Sequence, residues 1–254
     1  MAEQKQVARD RSDRDRQGSS PLPWPLHLNT PLTRTPGPFE IRRSTVLISR
    51  QHWQRLQNLA KASGITVFTL CLRAFSYAVA GYAGIPDLLI AVPTSRRQRI
   101  AEERSIGCFI RVQVCRMERL LDRDADSQKT RAQLRPMHTR VQTMLGNAQC
   151  ALSTLAHGQT STRLPSGNLL TDVLFVFQNF GDLSHGFQAA TTSQHADTLI
   201  CEIPARYSDF PLTCELVPEP RGCRVQIRYA TVCFDQDQVL DLFTRFRAHL
   251  NEGL

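Results

Sequence analysis

The apolar positions along the chain fall into two periods. Trp53, Leu56, Leu59 and Ala60 recur at spacings of three and four, which predicts an amphipathic helix over 50–63. Ser49 can cap its start and Gly64 can stop it. Thr66 opens a second helix that ends at Gly81-Tyr82-Ala83-Gly84. Val67, Phe68, Leu70, Cys71, Leu72, Phe75, Ala78 and Val79 spread almost all round it, so it is expected to be covered on most sides. A continuous apolar run at 88–92 predicts a buried strand. Residues 108–117 alternate, with Ile110, Val112 and Val114 on one face, read as the buried one, and Arg111 and Gln113 on the other.

The same patterns predict strands over 39–48, 173–178, 199–203, 212–217 and 224–229, the last two joined by a turn at 218–222. A polar helix is expected over 125–145, interrupted or kinked near Pro136, and a closing helix over 236–250 behind Asp235. Residues 181–198 read as a loop. The order shows no regular strand–helix–strand repeat. It predicts a mixed α/β (α+β) fold in which helices flank a mixed sheet. Residues 1–20 alternate acids and bases and are expected to be disordered, and 21–38 are proline-rich and extended. The chain therefore divides into a connector, 1–37, and one domain, 38–254.

With 254 residues, 41% of them hydrophobic, the chain is long enough to bury a sizeable core. Its net charge of +8, carried by 28 Arg and 3 Lys, is compatible with an acidic partner as a class but is read as an Arg-rich soluble surface. The arginines are scattered and no aromatics interleave with them, so nucleic acid is not expected. Eight cysteines without a C-x-x-C predict buried thiols in a reducing cytoplasm and no metal site. Residues 1–17 lack the apolar stretch of a signal peptide, and the apolar run 67–83 is short for a membrane span and carries Arg73. A cytoplasmic protein with no membrane contact is expected.

Catalytic chemistry is hard to place. The seven histidines, at 27, 52, 138, 157, 185, 195 and 249, are never closer than ten residues. His157 and His185 read as exposed loop histidines, and His195 with Asp197 does not make a triad. No G-x-S-x-G, P-loop or H-E-x-x-H occurs. No residue is assigned as catalytic.

A longer order of motifs is informative. Gly64-Ile65-Thr66 opens a helix, Asp87 opens a strand, and Pro93-Thr94-Ser95-Arg96-Arg97 follows. Then come Ile106-Gly107-Cys108-Phe109-Ile110-Arg111-Val112, ending at Arg116, a degraded Asn147–Ser153 segment, and Arg163-Leu164-Pro165-Ser166-Gly167-Asn168-Leu169-Leu170. Phe175-Val176-Phe177-Gln178-Asn179, Tyr207-Ser208-Asp209-Phe210-Pro211-Leu212-Thr213 and Arg228–Asp235 complete it. This order resembles the second half of a nonribosomal peptide synthetase condensation domain, over roughly residues 38–250.

The resemblance implies a chloramphenicol-acetyltransferase-like lobe, whose intact family forms amide bonds between carrier-bound acyl and aminoacyl groups. It implies carrier domains with phosphopantetheine arms as partners and no cofactor bound directly. The family's base lies in a His-His-x-x-x-Asp-Gly motif of the first lobe, and this chain has no His-His pair. The lobe is therefore expected to be inactive alone, to need an N-terminal lobe, and to expose a face through which it could self-associate. Arg111 stands where the family has Asn: it either faces the cleft or is a solvent-facing strand residue opposite a buried Ile110/Val112 face. Gln178 either faces the same cleft or satisfies backbone groups at a strand end, and Asp209 either lines the cleft or forms a turn. A non-catalytic docking module and an acyltransferase of the same superfamily remain as alternatives.

Overall fold

A computed structural model describes residues 38–95, 107–118, 120, 127–147, 150–151, 171–178 and 205–252. The 1–37 connector, the 181–198 loop and the 199–203 strand lie outside the described residues. The strands are β1 (Phe39–Ser49), β2 (Leu88–Ser95), β3 (Ile110–Met117), β4 (Val173–Phe177), β5 (Tyr207–Ser208), β6 (Leu212–Glu219) and β7 (Gly222–Ala230). They form one sheet in the order β3-β2-β4-β6-β7-β1-β5. Pairing is parallel at β2–β4 and β4–β6 and antiparallel elsewhere.

Four helices pack on one face of this sheet: α1 (Arg50–Ser63), α2 (Val67–Ala83), α3 (Ser127–Gly146) and α4 (Gln236–Asn251). Ser49 accepts a hydrogen bond from the His52 amide at 3.4 Å, and Gly64 ends α1 in the left-handed conformation. Thr66 accepts from the Thr69 amide at the start of α2. Asp235 and Gln238 close a reciprocal capping box on α4. Each local signal read from the sequence thus has a hydrogen bond behind it.

The core lies between α2 and the sheet. Phe75 of α2 is fully buried between Phe175 of β4, 5.7 Å away centroid to centroid, and Phe246 of α4, 6.2 Å away. Burying such a ring stabilises the fold by about 2–3 kcal/mol. Trp53 of α1 stacks on Phe177 at 6.3 Å, so α1 covers the same sheet face. Arg73 is also buried in α2, its guanidinium 4.6 Å from the Tyr77 ring centre.

Two expectations change. The helix through Pro136 is not interrupted but runs from Ser127 to Gly146. Leu134, Val141 and Met144 are buried along it, and that packing outweighs the hydrogen bond a proline forfeits. In β3 burial does not alternate: Val114, on the face expected to be buried, is buried, but so are Gln113, Cys115 and Met117 of the other face. Gln113, 2% exposed, is covered by α3, whose Leu145 carbonyl accepts a 3.0 Å bond from the Gln113 side-chain Nε2. Ile110, 64% exposed, points to the side on which none of the described helices packs.

Candidate functional site: the open sheet face

Register fixes which residues share the face opposite the helices, where Ala91, Val114 and Gln226 are nonetheless buried. Val114 pairs with Ala91, Ala91 with Leu174, Val176 with Glu215, and Glu215 with Gln226, so these side chains lie on one side. Phe175, Cys214 and Ile227 alternate with them and face the helices. Among the described residues, no helix packs on the open side. Across it runs a gradient: apolar at β3, β2 and β4, polar and charged at β6, β7 and β1.

The polar half has a built centre. Gln178 extends the β4–β6 ladder, its amide N–H donating to the Leu216 carbonyl at 2.8 Å. Its side-chain Nε2 donates to Glu215 Oε1 at 2.6 Å. The other Glu215 oxygen receives Arg228 Nη2 at 3.2 Å. A carboxylate on the sheet face is thereby fixed from both sides. Beside it an open groove of about 640 Å³ is lined by Glu40, Arg43, Arg206, Glu215, Gln226 and Arg228, among others. This arrangement can orient hydrogen-bonding groups and hold charge, but it contains no base of histidine type.

The described histidines lie elsewhere. His52, His138 and His249 sit on α1, α3 and α4. His138 shares a 2.8 Å hydrogen bond with Thr69, and His249 one of 3.1 Å with Glu252. Burial, then the nearby Arg55 and Arg247, push His52 below the ordinary histidine value. His27, His157, His185 and His195 lie outside the described residues. Among the described residues, no group of three or more His, Cys, Asp or Glu is placed to hold a metal ion.

The three residues singled out by sequence separate. Gln178 is on the open face, held by Glu215. Arg111 pairs with Thr94, at odd spacing from Ala91 and Val114, and so belongs to the helix-side face, half-buried. Asp209 is exposed in the bend between β5 and β6, where the Phe210 amide donates to Ser208 at 3.1 Å. The structure brings none of the three together. Glu215, Gln226 and Arg228 were not singled out from the sequence. The signal was present, as polar residues at every second position of β6 and β7, but alternation alone describes any solvated sheet face.

Buried thiols form a separate feature of the helix side. Burial pushes Cys71 and Cys214 well above the usual thiol value, and Cys115 and Cys223 up to about 12. Cys108, by contrast, is exposed.

Comparison with known proteins gives a consistent picture. The family model described as Condensation domain matches residues 23–254. Bacitracin synthase 1 of Bacillus licheniformis is 23% identical over 219 residues, which is 86% of this chain and 4% of that protein. Gramicidin S synthase 2 of Brevibacillus brevis is 25% identical over 202 residues, 79% of this chain and again 4% of the relative. The chain thus spans about 4% of the length of these curated relatives. The condensation domain of the monacolin K polyketide synthase MokA superposes with a TM-score of 0.72 at 13% identity, covering 100% of this chain and 59% of that one. The four-domain nonribosomal peptide synthetase AB3403, solved with AMP and glycine, gives a TM-score of 0.69 at 21% identity, covering 91% of this chain and 17% of that one. At these identities the superpositions show the fold.

Proposed function

The chain belongs to the condensation domain family, and we propose that it acts as the C-terminal lobe of a nonribosomal peptide synthetase condensation domain. In this reading it contributes one wall of the site where amide bonds form between carrier-bound acyl and aminoacyl groups. The family match over residues 23–254 carries the reading. The one-sided sheet supports it, because a face with fixed polar groups and, among the described residues, no helix on it is suited to receive a second lobe.

The chemistry requires a base within hydrogen-bond reach of the attacking amine. The 254 residues hold no His-His pair, so that base belongs to a His-bearing lobe, supplied in the same polypeptide or by another. Carrier domains are the partners in this reading, and their phosphopantetheine arms deliver the substrates. A cytoplasmic location accords with it. No single helix among the described residues is long and apolar enough to cross a membrane.

Titrating a His-bearing N-terminal lobe into the chain by calorimetry tests the half-domain reading. Saturable binding that is lost when the open face carries Val176→Asp is expected. No heat of binding at any concentration would count against it.

A second reading, a docking module without chemistry, is favoured by Arg111-Val112 standing where the family carries Asn-Thr. Restoring Asn and Thr separates the two. It leaves binding of carriers unchanged in a docking module, whereas in a catalytic lobe it alters turnover.

A further inference from the structure

Chemistry fixes which way the Gln178 side chain is turned. A carboxylate accepts hydrogen bonds and donates none, so Glu215 Oε1, at 2.6 Å, can face only the amide nitrogen of Gln178. The amide oxygen therefore points away from Glu215. Among the described residues that oxygen accepts no hydrogen bond, and the side chain is half-buried on the same face as Val176.

Arg228 keeps Glu215 from turning away. Its Nη2, also a donor, holds the second carboxylate oxygen at 3.2 Å. The order across β7, β6 and β4 is thus guanidinium, carboxylate, amide N–H and then a bare carbonyl oxygen. An amide that donates to an anion also carries more negative charge on its own oxygen, which makes that oxygen a stronger acceptor.

We propose that the Gln178 oxygen receives an N–H of the attacking amine, and that Glu215 and Arg228 are positioning residues that hold it there. This rests on the amide-forming reading above. A primary amine brings two N–H groups. Its lone pair forms the C–N bond while the thioester C–S bond breaks and the sulfur leaves with that bond's electron pair. One proton passes to the base of the His-bearing lobe and on to the sulfur. The other stays on the nitrogen, which becomes positive during the attack, and meets the Gln178 oxygen. That bond is strongest in the transition state, so it speeds the step rather than merely holding the substrate. It also makes Gln178 a specificity residue. A secondary amine has a single N–H, which the base takes, and none is left for Gln178.

The test combines the whole chain with a His-bearing lobe and compares glycyl-loaded with sarcosyl-loaded acceptor carriers against one acyl donor carrier. The unaltered pair is expected to favour glycyl. Gln178→Met and Glu215→Ala should each lower the glycyl-to-sarcosyl ratio of kcat/KM by about tenfold. A purely structural loss would slow both acceptors alike and leave the ratio unmoved. Gln178→Glu combined with Glu215→Gln keeps the order of donors and acceptors, because the amide at 215 then donates to the carboxylate at 178. This exchanged pair presents an oxygen again and should bring the ratio back to within about twofold. It carries the comparison where a single variant fails to fold. An unmoved ratio in Gln178→Met, or no recovery in the exchanged pair, overturns this proposal alone. No product from the unaltered pair with either acceptor overturns the amide-forming reading and this proposal with it.

Discussion

Arg111 and Gln178 lie on opposite faces of one sheet. Arg111 shares the helix side with Thr94 and Gln113, and Gln178 shares the open side with Leu174, Val176 and Glu215. Two residues that the motif order sets near one cleft therefore reach different surroundings. Of this pair only Gln178 is placed to meet a lobe docked on the open face.

The Gln178–Glu215–Arg228 arrangement makes a direct prediction. Glu215→Ala removes the acceptor of a 2.6 Å bond and the counter-charge of a half-buried guanidinium. A loss of about 1–3 kcal/mol is expected in urea unfolding, with Glu215→Gln losing less because an amide oxygen still accepts from Gln178.

Gly222 closes the hairpin between β6 and β7 opposite Ser49. Its φ is +140, and an added Cβ would lie 1.9 Å from the Ile48 carbonyl oxygen. Because the obstacle is backbone, it cannot rotate aside. Gly222→Ala should cost about 3 kcal/mol or more, read as a lower urea midpoint. Gly84→Ala, where nothing stands within 4 Å but φ is +67, should cost less, about 1 kcal/mol.

How much was legible beforehand depends on the range of the interaction. Caps at Ser49, Thr66 and Asp235 and stops at Gly64 and Gly84 are local, and the sequence shows them. The burial of Gln113 in β3 depends on α3, which arrives from later in the chain. Likewise Glu215 joins Gln178 and Arg228 only through the parallel β4–β6 and antiparallel β6–β7 registers, which no local pattern sets. The motif order identified the family, but sheet parity decides where each motif residue points.

The buried thiols give stability a defined alkaline limit. Cys115 and Cys223 are pushed from the reference value of 9.0 up to about 12, chiefly by burial. Between those values the folded chain keeps protons that the unfolded chain releases. By linkage, stability is then unaffected below about pH 8.5 and falls as pH rises from about 9 toward 12. Urea midpoints across that range check the sign, and Cys115→Ala should flatten the slope. At pH 8, iodoacetamide should label Cys108 well before Cys71, Cys115 or Cys214.

The central claim is that this lobe takes part in amide formation only together with a histidine from another lobe. The direct measurement loads an acyl carrier and an aminoacyl carrier and follows the joined product on the acceptor by intact-protein mass spectrometry. No product is expected with this chain alone, and product is expected when a His-bearing lobe is added. That product should be lost when the second histidine of the added lobe is changed to Ala. Product formed by this chain alone would contradict the claim.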